Sequence, residues 1–179
     1  MFNSYSSRIS ELLKYVQNDA VERLLSAIRK VISENGTIYV LGNGGSATTA
    51  SHFVNDIRVI AQRRGLTVKA ISLSENIASI TAIGNDLAFN EIFKSQILGI
   101  LEKKDLLFLI SVSGNSANLI TAARYAKEVG AGTVALLGFD GGELLKISDC
   151  NCLVPSLRDE YGPTEDIHLS ICHFLASNA

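Results

Sequence analysis

Two short segments of this chain concentrate groups that can bind an anion. Residues 42–46 read Gly-Asn-Gly-Gly-Ser and residues 111–118 read Ser-Val-Ser-Gly-Asn-Ser-Ala-Asn, each after an apolar run. Glycine lets the backbone approach a ligand, and free N–H groups at a helix start attract negative charge. Five polar side chains in eight residues exceed the needs of helix capping, so the second segment is predicted to bind a phosphate. The first segment is equally typical of a turn that serves only the fold, and it lacks the spacing of dinucleotide and ATP sites.

Histidines and carboxylates form a second set of candidates. His52 and Asp56 lie four residues apart, which places both on one face of a helix. Residues 164–173 add two histidines and two carboxylates, although spacing alone does not decide which of them share a face. We predict Thr164 as a helix N-cap, with Glu165 and Asp166 in the first turn, where negative charge is favourable. Capping would explain both acids without a site, but it does not explain the histidines.

Apolar periodicity predicts the elements that carry these residues. Helical spacing covers residues 5–34 as two helices, and strand-like runs occupy residues 37–42, 68–73, 106–111, 133–138 and 152–155. Strands that alternate with helix-compatible segments indicate an α/β fold with a parallel sheet and helices on both faces. Ligands of such sheets bind beyond the carboxyl ends of the strands, where both glycine- and serine-containing segments lie.

Composition narrows the class of protein. The chain has 179 residues, of which 47% are hydrophobic, so we expect one domain over residues 1–179. We expect no membrane segment and no export signal, and Cys150, Cys152 and Cys172 are taken as reduced thiols of a cytoplasmic protein. Cys150 and Cys152 alternate along a short apolar run, so we expect both on one face of a strand, as buried core thiols rather than a metal-binding pair. The net charge is −2 without a basic block, so a direct nucleic-acid partner is not expected.

Motifs along most of the chain resemble those of phosphoheptose isomerases. They are Gly42-Asn43-Gly44-Gly45-Ser46, Ala50-Ser51-His52-Phe53, Ile83-Gly84-Asn85-Asp86, Phe89-Asn90-Glu91-Ile92-Phe93 and the serine-rich residues 111–118. The resemblance implies a sugar isomerase (SIS) domain: a three-layer sandwich with a five-stranded parallel sheet, assembled as a homotetramer through N-terminal helices in residues 1–35. It also implies that a phosphorylated sugar is held by these residues: Asn43, Ser46, Asp86, Ser111, Ser113 and Ser116.

The same resemblance implies a divalent metal, often zinc in the family, with ligands at His52, Asp56, Glu165 and His173. Asp56 would be the general base and His173 the general acid of proton transfer through an enediol. We therefore expect these four side chains to converge on one pocket. The chain departs from the family at four positions, where relatives commonly carry Glu, Gln, Thr and a polar side chain: Asp56, Glu165, Val112 and Gly162.

The function that the resemblance implies is aldose–ketose isomerisation of a heptose phosphate. The expected reaction converts sedoheptulose 7-phosphate to a D-glycero-D-manno-heptose 7-phosphate for surface polysaccharide or lipopolysaccharide. The alternative is a non-catalytic SIS module that binds a sugar phosphate or a partner, similar to replication-initiator-associating relatives. An aminosugar-phosphate-binding SIS domain is a third hypothesis. His52 and His173 favour the enzyme, whereas the four departures favour a divergent substrate or a regulatory role.

Overall fold

A parallel five-stranded sheet forms the centre of the molecule. The computed structural model describes residues 2–179. The strands are β1 Thr37–Gly42, β2 Lys69–Ser72, β3 Leu106–Ser111, β4 Gly132–Leu137 and β5 Cys150–Leu153. They pair in the order β2-β1-β3-β4-β5, with every neighbouring pair parallel. The predicted strands are therefore confirmed, with ends that differ by one or two residues.

Eight helices surround the sheet within the described residues. They are α1 Phe2–Leu13, α2 Asn18–Ser33, α3 Gly45–Arg63, α4 Ile77–Asp86, α5 Lys94–Ile97, α6 Ala117–Val129, α7 Gly142–Ile147 and α8 Tyr161–Asn178. A short 3₁₀ turn, Phe89–Glu91, precedes α5. Within residues 2–179, none of these helices combines the length and apolar character that a bilayer span requires.

The two faces of the sheet bury separate apolar cores because side chains of a strand alternate between faces. Ile38 and Val40 point to one core, which α1, α2, α3 and α8 cover. Tyr39 and Leu41 point to the other core, which α6, α7 and the segment around α5 cover. The result is a three-layer α/β sandwich, as the resemblance implied.

The strand order places a crevice between β1 and β3. The chain runs from β1 to β2 on one side and from β3 to β5 on the other, so the loops after β1 and β3 diverge there. Such a switch point is where parallel α/β sheets bind ligands. Both predicted anion-binding segments follow these two strands, so the topology brings them to the same place.

The predicted N-cap of the last helix is wrong. Helix α8 begins at Tyr161, one turn earlier than expected, and Thr164 lies inside it. The Thr164 hydroxyl is hydrogen-bonded to Ser156 Oγ and to the Glu160 carbonyl, both at 2.7 Å. Pro163 does not delay the start, because proline is tolerated in the first turn of a helix. Glu165 and Asp166 therefore do not cap the helix, and capping no longer explains them.

Candidate active site

The loops after β1 and β3 are joined by a reciprocal amide pair. Asn43 Nδ2 donates to Asn118 Oδ1, and Asn118 Nδ2 donates to Asn43 Oδ1, each at 2.9 Å. Asn118 is only 2% exposed, so this pair is largely shielded from water. Two hydrogen bonds between otherwise separate loops fix their spacing before any ligand arrives.

A cavity of about 190 Å³ lies between these loops and the start of α8. We call it the serine cavity, and its lining is Asn43, Ser46, Ile110, Ser111, Val112, Ser113, Ser116, Tyr161 and Glu165. Five of the six predicted sugar-phosphate residues thus line one space. Asp86 is not among them, because it is an exposed residue at the end of α4.

The hydroxyls of the serine cavity are available to a ligand. Ser46 and Ser116 make no side-chain hydrogen bond to any described residue, although Ser116 occupies the N-cap of α6. Ser111 Oγ accepts from the Gly114 N–H at 3.1 Å, and Ser113 Oγ accepts from the Asn115 N–H at 3.3 Å. Both hydroxyls accept in these bonds, so their own protons remain free to donate. Four donors beside a helix N-terminus suit an oxyanion.

Glu165 adds a carboxyl group to the wall of this cavity. Its carboxylate occupies the space that a side chain on Gly45, at the start of α3, would need. Burial and, secondarily, the charge of Asp166 raise the pKa of Glu165 above its ordinary value. Within the described lining of the serine cavity there is no Lys or Arg. The cavity therefore combines neutral donors with one acid.

Three of the four predicted metal ligands come together on α3 and α8. His52 Nε2 lies 2.9 Å from His173 Nε2, and Asp56 Oδ2 lies 3.2 Å from His52 Nε2 and 3.7 Å from His173 Nε2. We call these residues the histidine–aspartate group. Both histidine side chains are about half exposed, at 48% and 51%. Glu165 lies outside this group.

Helix geometry explains the position of Glu165. It precedes His173 by eight residues, which is about 12 Å along the axis of α8 at a rise of about 1.5 Å per residue. Helices α3 and α8 run side by side in the same direction, with Glu165 beside Gly45 and His173 beside His52. The acid therefore contacts the beginning of α3, two turns before the histidines.

The histidine–aspartate group fits a divalent metal ion. Its three candidate ligand atoms lie within 4.8 Å of one another. Ligands at about 2.0–2.2 Å from a tetrahedral zinc ion would lie roughly 3.3–3.6 Å apart, close to these separations. Two imidazole nitrogens and one carboxylate oxygen are a common zinc set, and three protein ligands leave one position for substrate or water.

The remaining histidine of α8 has a different role. His168 is completely buried, and its Nε2–H can donate to the Leu137 carbonyl at the end of β4 at 3.1 Å. Burial lowers the pKa of His168 to about 4, so the ring is neutral near pH 7. Cys172 is also buried, and burial raises the pKa of its thiol. These two residues belong to the packing of α8 rather than to the site.

Two tyrosines near the site were missed by sequence analysis. Tyr161 lines the serine cavity, and its ring packs edge-on against Phe139 at 5.1 Å between centroids. Tyr5 of α1 donates a hydrogen bond to Asp166 at 2.7 Å. A Cβ atom on Gly162 would lie 3.0 Å from the Tyr5 hydroxyl, so Tyr5 occupies the space that a side chain there would need. Neither tyrosine belongs to a recognisable motif, and only long-range packing reveals them.

Comparisons with known proteins agree with this geometry. A family model described as the SIS domain matches residues 2–138. The phosphoheptose isomerase of Helicobacter pylori strain P12 is 34% identical over 176 residues, which cover 97% of this chain and 89% of that protein.

Solved structures of phosphoheptose isomerases are also similar to this chain. The phosphoheptose isomerase structure from Francisella tularensis aligns with a TM-score of 0.90 at 28% identity, covering 99% of this chain and 93% of that one. The phosphoheptose isomerase of Neisseria gonorrhoeae aligns with a TM-score of 0.87 at 29% identity, covering 98% and 92%. Because the family model matches residues 2–138 and the relative from Helicobacter pylori is 34% identical over 97% of the chain, the chain belongs to the SIS-domain family of phosphoheptose isomerases.

Proposed function

We propose that this protein is an aldose–ketose isomerase that acts on a heptose phosphate. The reaction interconverts sedoheptulose 7-phosphate and a D-glycero-D-manno-heptose 7-phosphate, supplying surface polysaccharide or lipopolysaccharide synthesis. Membership of the phosphoheptose isomerase family supports the reaction class and the phosphorylated sugar. One observation carries the proposal: the hydroxyl-lined serine cavity lies at the starts of α3 and α8, and the same two helices carry the histidine–aspartate group.

The distance between the serine cavity and the histidine–aspartate group is close to the length of a seven-carbon sugar phosphate. Ser46 lines the serine cavity and His52 follows it by six residues, about 9 Å along α3. An extended seven-carbon chain with a terminal phosphate is on the order of 10 Å long, with carbon–carbon bonds of about 1.5 Å. A phosphate bound by Ser111, Ser113 and Ser116 would therefore leave C1 and C2 near the histidine–aspartate group.

Proton transfer between C1 and C2 requires one base and one acid close together. The carboxylate of Asp56 removes a proton from C1 of the ketose while His173 protonates the oxygen on C2, which gives the enediol. Asp56 then returns its proton to C2, and His173 recovers a proton from the oxygen on C1. Each side chain ends the reaction in its starting state. The 3.7 Å between Asp56 and His173 supports their action on one substrate.

This proposal includes a divalent metal ion. Two imidazole nitrogens and one carboxylate oxygen favour zinc. His52, Asp56 and His173 would hold the ion, and Glu165 is its fourth ligand only if the carboxylate moves away from Gly45. When bound, the ion supplies a Lewis acid that polarises the sugar carbonyl. Asp56 Oδ2 faces the histidines, whereas Oδ1 accepts a bond from Asn55 Nδ2 at 3.4 Å. The two carboxylate oxygens can therefore serve ion and proton separately, and His173 would likewise hold the ion through Nε2 and transfer its proton through Nδ1.

The protein is further proposed to be one domain that assembles as a homotetramer in the cytoplasm. The exposed apolar side chains of Leu13 on α1 and Phe174 on α8 line a groove between the helices, and Phe2 is exposed at the start of α1. Such a surface favours burial against another copy. Free thiols at all three cysteines suit a reducing compartment. Light scattering at micromolar concentration tests the assembly, and a monomer mass contradicts it.

The decisive experiment incubates the purified, metal-analysed protein with a panel of ketose phosphates and identifies the products by NMR. We expect conversion of sedoheptulose 7-phosphate, and a loss of conversion after chelation that added zinc restores. Binding of the sugar phosphates without conversion of any of them, with metal present, would support the non-catalytic module instead.

A further inference from the structure

A second, larger cavity opens beside the serine cavity. It has a volume of about 540 Å³, and we call it the arginine cavity. Its lining is Ser113, Asn115, Phe139, Asp140, Ser156, Leu157, Arg158 and Tyr161. Ser113 and Tyr161 line both cavities, so the two spaces meet at the loop predicted to bind phosphate.

Hydrogen bonds between separate segments fix the wall of the arginine cavity. The Phe139 N–H donates to Ser156 Oγ at 3.2 Å, and Ser156 Oγ is also hydrogen-bonded to the Thr164 hydroxyl. Phe139 has a φ of 51°, in the left-handed region that a bulky L-residue rarely adopts. Strain of this kind persists only where surrounding contacts impose it, and it concentrates at ligand sites.

The described lining of the serine cavity holds no cation to balance the charge of a phosphate ester. Such an ester carries a charge of about −1.5 to −2 at neutral pH. The described lining of the serine cavity provides hydroxyls and an amide, but its one carboxyl group, Glu165, repels the anion when ionised. A cation nearby would offset both charges.

Arg158 is placed to supply that cation. It lines the arginine cavity and makes no ion pair or hydrogen bond with any described residue, so its guanidinium donors are free. Asp140 is the other charged residue of the lining; its Oδ1 accepts from the Gly142 N–H at 3.1 Å. Arginine suits this role because its planar fork can donate two hydrogen bonds to one phosphate.

We propose that Arg158 binds the phosphate group of the substrate from the arginine cavity while the serine loop binds it from the other side. The two cavities then form one substrate site. This assignment rests on the proposed function in one respect, namely that the substrate is a phosphorylated sugar. It adds a residue outside every motif that sequence analysis identified.

The test compares Arg158→Gln, Arg158→Lys and the control Arg63→Gln, which removes an exposed arginine at the end of α3. Calorimetric titration with inorganic phosphate and with sedoheptulose 7-phosphate measures Kd for each protein. We expect Arg158→Gln to raise both Kd values about tenfold or more, since a charge-assisted hydrogen bond is lost. Arg158→Lys should lose part of the affinity, because it keeps the charge but not the two-pronged fork, and the control should retain all of it.

Two further measurements separate this role from a structural one. Arg158→Gln should raise KM with little change in kcat, and its phosphate affinity should depend less on salt than that of the wild type. Unphosphorylated sedoheptulose should bind both proteins equally. Arg158→Gln that binds phosphate as tightly as the wild type overturns the proposal, as does wild-type protein that binds no phosphate. A wild type that binds phosphate yet isomerises nothing refutes only the proposed function.

Discussion

The serine cavity and the histidine–aspartate group are built in different ways. The cavity consists of strand-end loops, and the partly buried Asn43–Asn118 pair holds those loops together. The histidine–aspartate group lies on the outer faces of two helices, with both imidazoles about half exposed. A site held by such hydrogen bonds is formed before its ligand binds. A site on half-exposed helical faces is completed only when an ion, a substrate or another subunit binds there and excludes water.

This difference predicts that substitutions in the two regions affect separate steps. Changes in the histidine–aspartate group should lower the rate of chemistry while phosphate binding persists. Changes in the serine cavity should weaken binding of the phosphate while the catalytic groups stay intact.

The largest effect is expected for His173→Ala. Removing the proposed acid should lower kcat by roughly 10²–10⁴-fold, the usual contribution of general acid–base catalysis. The fold and the Kd for inorganic phosphate should stay near wild type, because the side chain is exposed and far from the serine loop. Ser177→Ala on the same helix is the matched control. Full activity in the His173 variant would remove the catalytic role.

Single substitutions Ser113→Ala and Ser116→Ala should weaken sugar-phosphate binding more than tenfold each, or about 1.5–3 kcal/mol, because each removes a donor to a charged group. Neither should impair folding, since the Ser116 hydroxyl makes no capping bond and Ser113 Oγ accepts only a solvent-exposed bond from the Asn115 N–H at 3.3 Å. Calorimetry with inorganic phosphate gives the affinities, and Ser10→Ala on α1 is a control. Unchanged affinity in both variants would refute the phosphate assignment.

Asn118→Ala probes the link between the two loops. The substitution leaves the Asn43 amide without its partner, so the free energy of unfolding should fall by about 1–3 kcal/mol. Urea unfolding measures this, and phosphate affinity should fall as the loops separate. Asn178→Ala, at the exposed end of α8, should change neither quantity. Wild-type stability and affinity in Asn118→Ala would show that the pair does not organise the cavity.

The smallest effect is expected for Glu165→Gln, which removes a negative charge from the serine cavity. Phosphate affinity should rise a few-fold, the scale of one partly screened charge. The gain should shrink as the pH falls through the raised pKa of Glu165, because a protonated carboxyl is neutral like the amide. Zinc affinity should not change if the ligands are His52, Asp56 and His173. A large loss of zinc affinity would instead make Glu165 a ligand.

Local pattern in the sequence predicted the architecture, and the resemblance to phosphoheptose isomerases supplied the roles of most site residues. Apolar runs of strand length and helical spacing predicted the sheet, because burial on two faces requires those periods. The serine loop was identifiable because its polar residues exceed what a helix start needs. His52 and Asp56 share a helical face by spacing alone, and their contact at 3.2 Å follows from it.

Only the tertiary structure decided which distant residues meet. Helices α3 and α8 pack side by side, and that packing places His173 at His52 while Glu165 lies two turns earlier at Gly45. The start of α8 was misplaced because Thr164 resembles a cap, whereas its hydroxyl bonds inward to Ser156. Tyr5 meets Asp166, and Arg158 comes to the cavity lined by Ser113, only through contacts between segments far apart in sequence. Sequence spacing fixes neighbours within one helix or strand, but contacts between elements depend on how the whole core packs.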